Sequence, residues 1–240
     1  TAQNYYARRH QRRRREVDIE LMLGLVRAER REQPRLGTLK VYHLIKPELK
    51  KAGVKLGRDR MFKELKKAGL LVPRKPSAWP KTTHYNPNLP VFKNLVKNLK
   101  VTRPNQVWVA DITYIRTEEV FMYLALVTDL WSRKIVGFEL SKSLAVEVVL
   151  RALAMALKSL KPGEKPIHHS DRGCQYASHT FVLRVQKAGL RMSMTEKNHS
   201  AENSNAERVN GILKQEYWLD ATFPDSSRAK QACAEAIRLY

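Results

Sequence analysis

A layered α/β domain behind a small all-α module is the fold class that this 240-residue sequence predicts. Three observations point there. After residue 105, apolar β-branched and aromatic runs follow one another closely and then alternate with helical periodicities. Before residue 71, apolar residues recur at helical spacing. Between the two lie Pro73, Pro76, Pro80, Pro87, Pro90 and Pro104, a cluster that marks an extended connection. The expected division is a basic arm at 1–15, a helical domain at 16–71, a linker at 72–104 and an α/β domain at 105–240.

The formal net charge is +22, and it is unevenly placed. Residues 1–100 hold 26 Lys and Arg against 8 Asp and Glu, whereas residues 101–240 hold 19 against 15. A strongly basic front half joined to a near-balanced back half points to a module that binds a polyanion. Charge alone fits nucleic acid, ribosome or a membrane surface. There is no apolar run of about 18 residues to span a bilayer and no signal-peptide pattern at the start. Cys174 and Cys233 form no CxxC pair, which argues against a disulfide framework or a cysteine-based zinc site. A cytoplasmic, nucleoid-associated setting is expected.

Taken in order, residues 1–15 read as a weakly patterned basic arm, and Glu16–Arg31 as an amphipathic helix with Ile19, Met22, Leu23 and Val26 on one side. A second helix starts near Thr38, and Pro47 should end or restart it. After Gly53 and Gly57, Met61–Lys67 reads as a basic helix, which completes the outline of a helix-turn-helix. Arg58, Arg60, Lys63 and Lys67 would line its exposed face toward DNA. A helical hairpin with a solvated basic surface fits the same pattern. Within the linker, Val91–Leu99 is a candidate short helix. Strands are expected at Val107–Ile115, Val120–Leu130 and Lys134–Leu140, joined by hairpins. Then come a helix at Leu144–Leu160, a strand at Pro166–Asp171, a helix at Ser178–Ala188, a strand at Leu190–Met194 and a helix at Asn203–Trp218.

Chemistry concentrates in three acids. Asp111 interrupts an apolar strand, where an ionised carboxylate needs a partner. Asp171 ends the fourth strand, at the kind of strand terminus where polar groups converge on ligands. On the last helix, about 100° per residue aligns Glu207 with Lys214, flanked by Asn203 and Asn210. That face is expected to look away from the core, with Val209, Ile212, Leu213 and Tyr217 packing on the sheet. Carboxylates brought together repel, and hard divalent cations such as Mg²⁺ or Mn²⁺ reverse the penalty. Lys214 could hold a phosphate of a substrate strand.

These residues resemble a known family. His169-Ser170-Asp171-Arg172-Gly173-Cys174-Gln175-Tyr176 is similar to the H-S-D-x-G-x-Q-Y segment of insertion-sequence transposases with a retroviral-integrase-like catalytic core. Asp111-Ile112-Thr113-Tyr114 resembles their D-x-T-Y strand. Glu202-Asn203-Ser204-Asn205-Ala206-Glu207, followed by Leu213-Lys214-Gln215-Glu216, resembles their D-N-A-x-x-E and L-K-x-E helix. Asp171 follows Asp111 by 60 positions, and 35 residues separate Asp171 from Glu207, as in the DD(35)E arrangement. Glu202 and Ser204 stand where Asp and Ala are usual. Tyr240 falls inside a helix where family members continue, so a C-terminal truncation is expected.

The resemblance implies an RNase H-like mixed five-stranded sheet flanked by helices. It implies Asp111, Asp171 and Glu207 as catalytic residues binding two Mg²⁺ ions, with His169, Thr113 and Gln175 in support. It also implies cleavage at 3′ ends, transfer of those ends to target DNA, and a dimer or larger homo-oligomer on double-stranded DNA. A nuclease that does not join strands and a catalytically silent DNA-binding regulator are the alternatives. Other residues have plainer readings. A zinc cluster of His168, His169 and His179 is disfavoured, and His169 is expected to support Asp171 or DNA. Trp108, Trp131 and Trp218 are expected in the core. Asp129 and Glu118 are rival acids, Asp129 being placed to cap a turn. Glu202 is a candidate cap or supporting group beside a Ser/Asn-rich loop.

Overall fold

The run Val107–Thr117 forms β1, the central strand of a mixed sheet, in a computed structural model that describes residues 2–73, 89–196 and 202–240. β2 (Phe121–Asp129) and β3 (Ile135–Ser141) follow through tight connections and pair antiparallel. α4 (Val146–Leu157) then crosses over to β4 (Ile167–Ser170), which lies parallel to β1 on its other side. The short α5 (Cys174–Ala177) and α6 (His179–Lys187) lead to β5 (Arg191–Met194), parallel to β4. The order β3-β2-β1-β4-β5 is the RNase H-like arrangement. After α7 (Ser204–Glu216), a two-residue β6 (Thr222–Phe223) pairs with the end of β1, and α8 (Ser226–Leu239) follows. β6 is a sixth strand where five were expected; two residues are too few to show a period-two pattern in sequence.

Alternation along β1 sends successive side chains to opposite faces. Trp108 and Ala110 join Val148, Ala152, Leu153 and Phe181 in a core under α4 and α6. Ile115 packs on the other face with Leu124, Leu126, Val209, Leu213 and Cys233, under α7 and α8. Gly137 is the point of closest approach on the first face. A Cβ there would lie 2.1 Å from the backbone oxygen of Ala152 and 2.8 Å from the Ala156 nitrogen.

The chain divides into two compact units, Thr1–Ser77 and Ala78–Tyr240. In the first, α1 (Ala2–Glu32), α2 (Thr38–Lys51) and α3 (Arg58–Lys67) bury Met22, Val26, Val41, Ile45, Leu49, Met61 and Leu65 together. Residues 2–15 are not an unpatterned arm but the first turns of α1, with residues 4–15 exposed. The stretch lacks Gly and Pro and is rich in Arg, Gln and Ala, which favour helix without any buried face. Pro47 does not end α2. Val41, Ile45 and Leu49 are buried on one face, and that packing carries the helix past the missing hydrogen bond. The α2–α3 turn contains Gly53 at φ +71°, a left-handed conformation suited to glycine. Arg58, Arg60, Lys63 and Lys67 are all exposed on α3.

Part of the expected linker, residues 74–88, lies outside the described residues. Residues 89–104 belong to the second unit, and Leu95, Val96, Leu99 and Val101 pack on Val107, Val109, Ile167 and Ala206. Val91–Leu99 is extended chain and a turn rather than a helix. Asn94 accounts for this: its side-chain oxygen accepts from Val96 N at 2.9 Å and Lys97 N at 3.0 Å, competing with helical bonding. Trp108 is buried as expected, but Trp131 and Trp218 are 51% and 44% exposed. Trp131 sits at the β2–β3 turn and Trp218 just past α7, where no layer covers them. No described helix is long and apolar enough to cross a membrane.

Because the 2.1 Å approach at Gly137 is to backbone, no rotamer change relieves it. Gly137→Ala should destabilise the second unit by about 3 kcal/mol or more, at or beyond the upper end for overpacked cores. Thermal unfolding checks this; an unchanged midpoint would show that α4 can move off the sheet at no cost.

Candidate active site

The register of β1 and β4 brings the first two acids together. Val107 pairs with Ile167 and Val109 with His169, an offset of 60. Asp111 and Asp171 keep that offset two residues past the last pair, so the spacing in sequence is the register of two neighbouring parallel strands, about 4.8 Å apart. Both line one cleft of about 40 Å³, with Ile112, Tyr114, Leu144, Gly173, Gln175 and Tyr176. The space suits a few water-sized occupants rather than a nucleotide.

Each carboxylate is held by a specific donor. Asn210 Nδ2 donates to Asp111 Oδ2 at 2.7 Å, and Gly173 N donates to Asp171 Oδ1 at 2.9 Å. A Cβ on Gly173 would lie 3.0 Å from that same Oδ1, so glycine is what allows the carboxylate to fold back on its own turn. Gln175 Nε2 donates to Leu144 O at 3.0 Å and ties the α5 side of the cleft to the start of α4. Thr113 is buried on β1, two residues beyond Asp111.

The third acid comes from α7. Its inward face carries Asn203, Ala206, Val209, Asn210 and Leu213. Glu207 is exposed beside this face, and its charge reaches Asp111 less strongly than that of Asp171. Asn203 and Asn210 were expected to face DNA. Instead both are buried: Asn203 Nδ2 donates to Ala110 O at 3.4 Å, and Asn210 grips Asp111. A polar pair turned inward breaks the apolar pattern from which the helix face was read, and β1 supplies the buried acceptors that reward it. Among the described residues, no three His, Cys, Asp or Glu side chains are gathered closely enough to hold a metal ion.

Electrostatics set the site apart. Burial, and then the neighbouring charge of Asp171, push the Asp111 carboxyl up from 3.8 to about 7; the Asn210 hydrogen bond pulls the other way. Burial pushes the Lys214 ammonium down to about 8, although Asp111 and Asp220 pull it up. Tyr176, with its hydroxyl buried and unpartnered, has its phenol raised by burial and then by Asp111 and Asp171. By contrast Asp129 is a turn staple, accepting from Asn105 N at 2.8 Å and Ser132 N at 2.8 Å. Glu118 is exposed beyond the end of β1. His169 is buried on β4. Its Nδ1 faces Ser193 Oγ at 2.9 Å and its Nε2 faces Glu202 O at 3.3 Å. His168 is fully buried against Tyr176 and Phe181. Tyr176 and Leu144 had not been singled out from sequence; the H-S-D-x-G-x-Q-Y motif could have given the first, and nothing local marks the second.

The sheet order, with Asp111 on β1 and Asp171 just past the parallel β4, is that of an RNase H-like core. The integrase core domain family matches residues 101–200. An uncharacterized 31 kDa protein of insertion element IS600 from Shigella sonnei is 34% identical over 228 residues, covering 95% of this chain and 82% of that protein. Transposase InsF for insertion sequence IS3A of Escherichia coli K12 is 40% identical over 129 residues, 53% of this chain and 45% of that one. The HTLV-2 integrase catalytic core domain in complex with magnesium overlays at a TM-score of 0.45 with 21% identity, over 57% of this chain and 86% of that one. The chain belongs to the insertion-sequence transposases with an integrase core domain.

Burial of Asp111 gives stability a definite pH dependence. Below about pH 4 its carboxyl is neutral in both folded and unfolded chains. Between about pH 4 and 7 the unfolded chain ionises first, so the metal-free protein loses stability as pH rises through that window. Asp111→Asn should therefore raise the unfolding midpoint at pH 7.5, with the gain shrinking toward pH 4. An equal or lower midpoint at pH 7.5 would mean the carboxylate carries no burial penalty.

Proposed function

We propose that this chain catalyses divalent-metal-dependent cleavage at the 3′ ends of an insertion sequence and transfers those ends to target DNA. The observation that carries the reading is the pair Asp111 and Asp171 at matched positions of neighbouring parallel strands, with the Asp111 carboxyl pushed up to about 7. Two hard carboxylates that resist ionising together fit a divalent cation of the Mg²⁺ or Mn²⁺ kind. Asp111 and Asp171 would hold it, joined by Glu207 from α7 when substrate is bound. Two such ions, when bound, supply activation of a water or 3′-hydroxyl oxygen and neutralisation of charge on the scissile phosphate.

The remaining work falls to the protein. Asn210 fixes which oxygen of Asp111 faces the cleft, and Gly173 N does the same for Asp171. Ile112, Tyr114, Leu144 and Tyr176 wall the cleft and limit bulk water there. Lys214, near Asp111 and half-buried, is placed to hold a phosphate of the substrate strand while it keeps its proton. The exposed cations of α3, Arg58, Arg60, Lys63 and Lys67, are the proposed duplex contacts of the N-terminal unit. Strand joining at two element ends would require at least a pair of chains on DNA.

Incubating the protein with an element-end duplex, target plasmid and Mg²⁺, then sequencing the products, tests the reading. Cleaved 3′ ends joined to target are expected; cleavage without joining would favour a plain nuclease. Asp111→Asn, Asp171→Asn and Glu207→Gln should each lower cleavage at least about a hundredfold while DNA binding survives. Full activity in all three would leave the acids without a catalytic role. Removing the charges of Arg58, Arg60, Lys63 and Lys67 together should weaken duplex binding and flatten its salt dependence by up to about four counterions. An unchanged slope would move the DNA contact off α3.

A further inference from the structure

Residues 89–100 precede the matched integrase core, and with Val101 this stretch packs on β1, β4 and α7, the elements that carry or lead into Asp111, Asp171 and Glu207. Leu95, Val96, Leu99 and Val101 cap a small apolar cluster made of Val107 and Val109 from β1, Ile167 from β4 and Ala206 from α7. Asn94 and Leu95 add a polar layer. Asn94 Nδ2 donates to Glu202 Oε2 at 2.9 Å, and Asn94 N donates to Glu196 Oε1 at 3.0 Å. Glu202 Oε2 also accepts from Glu196 N at 2.5 Å, which closes a ring of three residues just before α7.

Leu95 N donates to Ser193 Oγ at 2.9 Å. The Glu202 carbonyl can only accept, so His169 Nε2 carries the proton and its Nδ1 accepts from the Ser193 hydroxyl. His169 is buried on β4 two residues before Asp171, Ser193 is buried on β5, and Glu202 lies five residues before Glu207. A continuous hydrogen-bonded path thus runs from the stretch before β1, through β5 and β4, to the root of α7.

The geometry points to Asn94 and Glu202 as positioning residues, a clamp that fixes α7 and its Glu207 against the strands bearing Asp111 and Asp171. This rests on the reading of those three acids as the catalytic set. The Glu202 carboxylate reaches both the Asn94 amide and the Glu196 N–H.

The hydrogen bond between positions 94 and 202 can be reversed without changing total charge. In Asn94→Asp the retained oxygen still accepts from Val96 N and Lys97 N, so the local turn is kept. A second carboxylate oxygen then faces Glu202. Glu202 Oε2 accepts from both Asn94 Nδ2 and Glu196 N, so in Glu202→Gln the carboxamide must turn to keep its oxygen on Glu196 N and offer its amide to residue 94.

Full-length wild type, Asn94→Asp, Glu202→Gln and the double variant should be compared by amide hydrogen exchange over residues 204–208 and by Mg²⁺ titration of end cleavage. Asn94→Asp should speed exchange there by about tenfold or more and raise the Mg²⁺ concentration needed for half-maximal cleavage. The double variant should restore both toward wild type. Unchanged exchange in Asn94→Asp, or a double variant no better than the worse single, would overturn the clamp. If Asn94→Asp loses its fold, recovery in the double variant still decides. Should wild type cleave nothing, the catalytic reading fails while the exchange comparison still tests the clamp.

Discussion

The constraint on which the rest of the structure depends is the ionisable group in the middle of β1. Asp111 lines a cleft on β1 beside α7, at the offset of Asp171 past the next strand, where burial and like charge both oppose its ionisation. A protein selected only for stability would place an apolar residue or Asn there. Around this one unfavourable group the surrounding fold is arranged. Asn210 reaches from α7 to hold it, and the backbone of Gly173 turns Asp171 beside it, in a cleft of mixed polar and apolar walls.

Holding such a site requires rigidity from outside the cleft. α4 sits hard against Gly137, and no bulkier residue could let it approach so closely. On the other face, α7 is fastened to β1 by Ala206, Asn203 and Asn210 rather than by apolar packing alone. The polar contacts give the helix one register on the strand, which fixes where Glu207 stands.

Much of this was legible in the sequence because it is local or periodic. The strands β1 to β5 and the long helices announce themselves by apolar spacing, and the nearness of Asp111 to Asp171 by interval. The interval of 60 even contains the parallel register of β1 and β4. What stayed hidden depends on partners far along the chain. Asn94 meets Glu202 across 108 positions, and Asn210 meets Asp111 across 99, so no window of sequence reveals either bond. Helical spacing placed Asn203, Asn210 and Glu207 on one face but could not tell which neighbour that face meets. Trp131 and Trp218 show the converse error, where a residue type suggested burial and its place beyond the layers left it exposed. Propensity alone would have carried α1 back through the arginines at 8–15, had charge not suggested an arm.

A carboxyl on β1 whose ionisation burial opposes should give up its proton more readily when a divalent cation is supplied. The most direct test is a ¹³C titration of the Asp111 carboxyl by NMR, in the full chain with and without Mg²⁺. A midpoint near 7 is expected in the metal-free protein, with a fall of at least about one unit when Mg²⁺ is present. A midpoint near 4 that ignores Mg²⁺ would contradict this expectation.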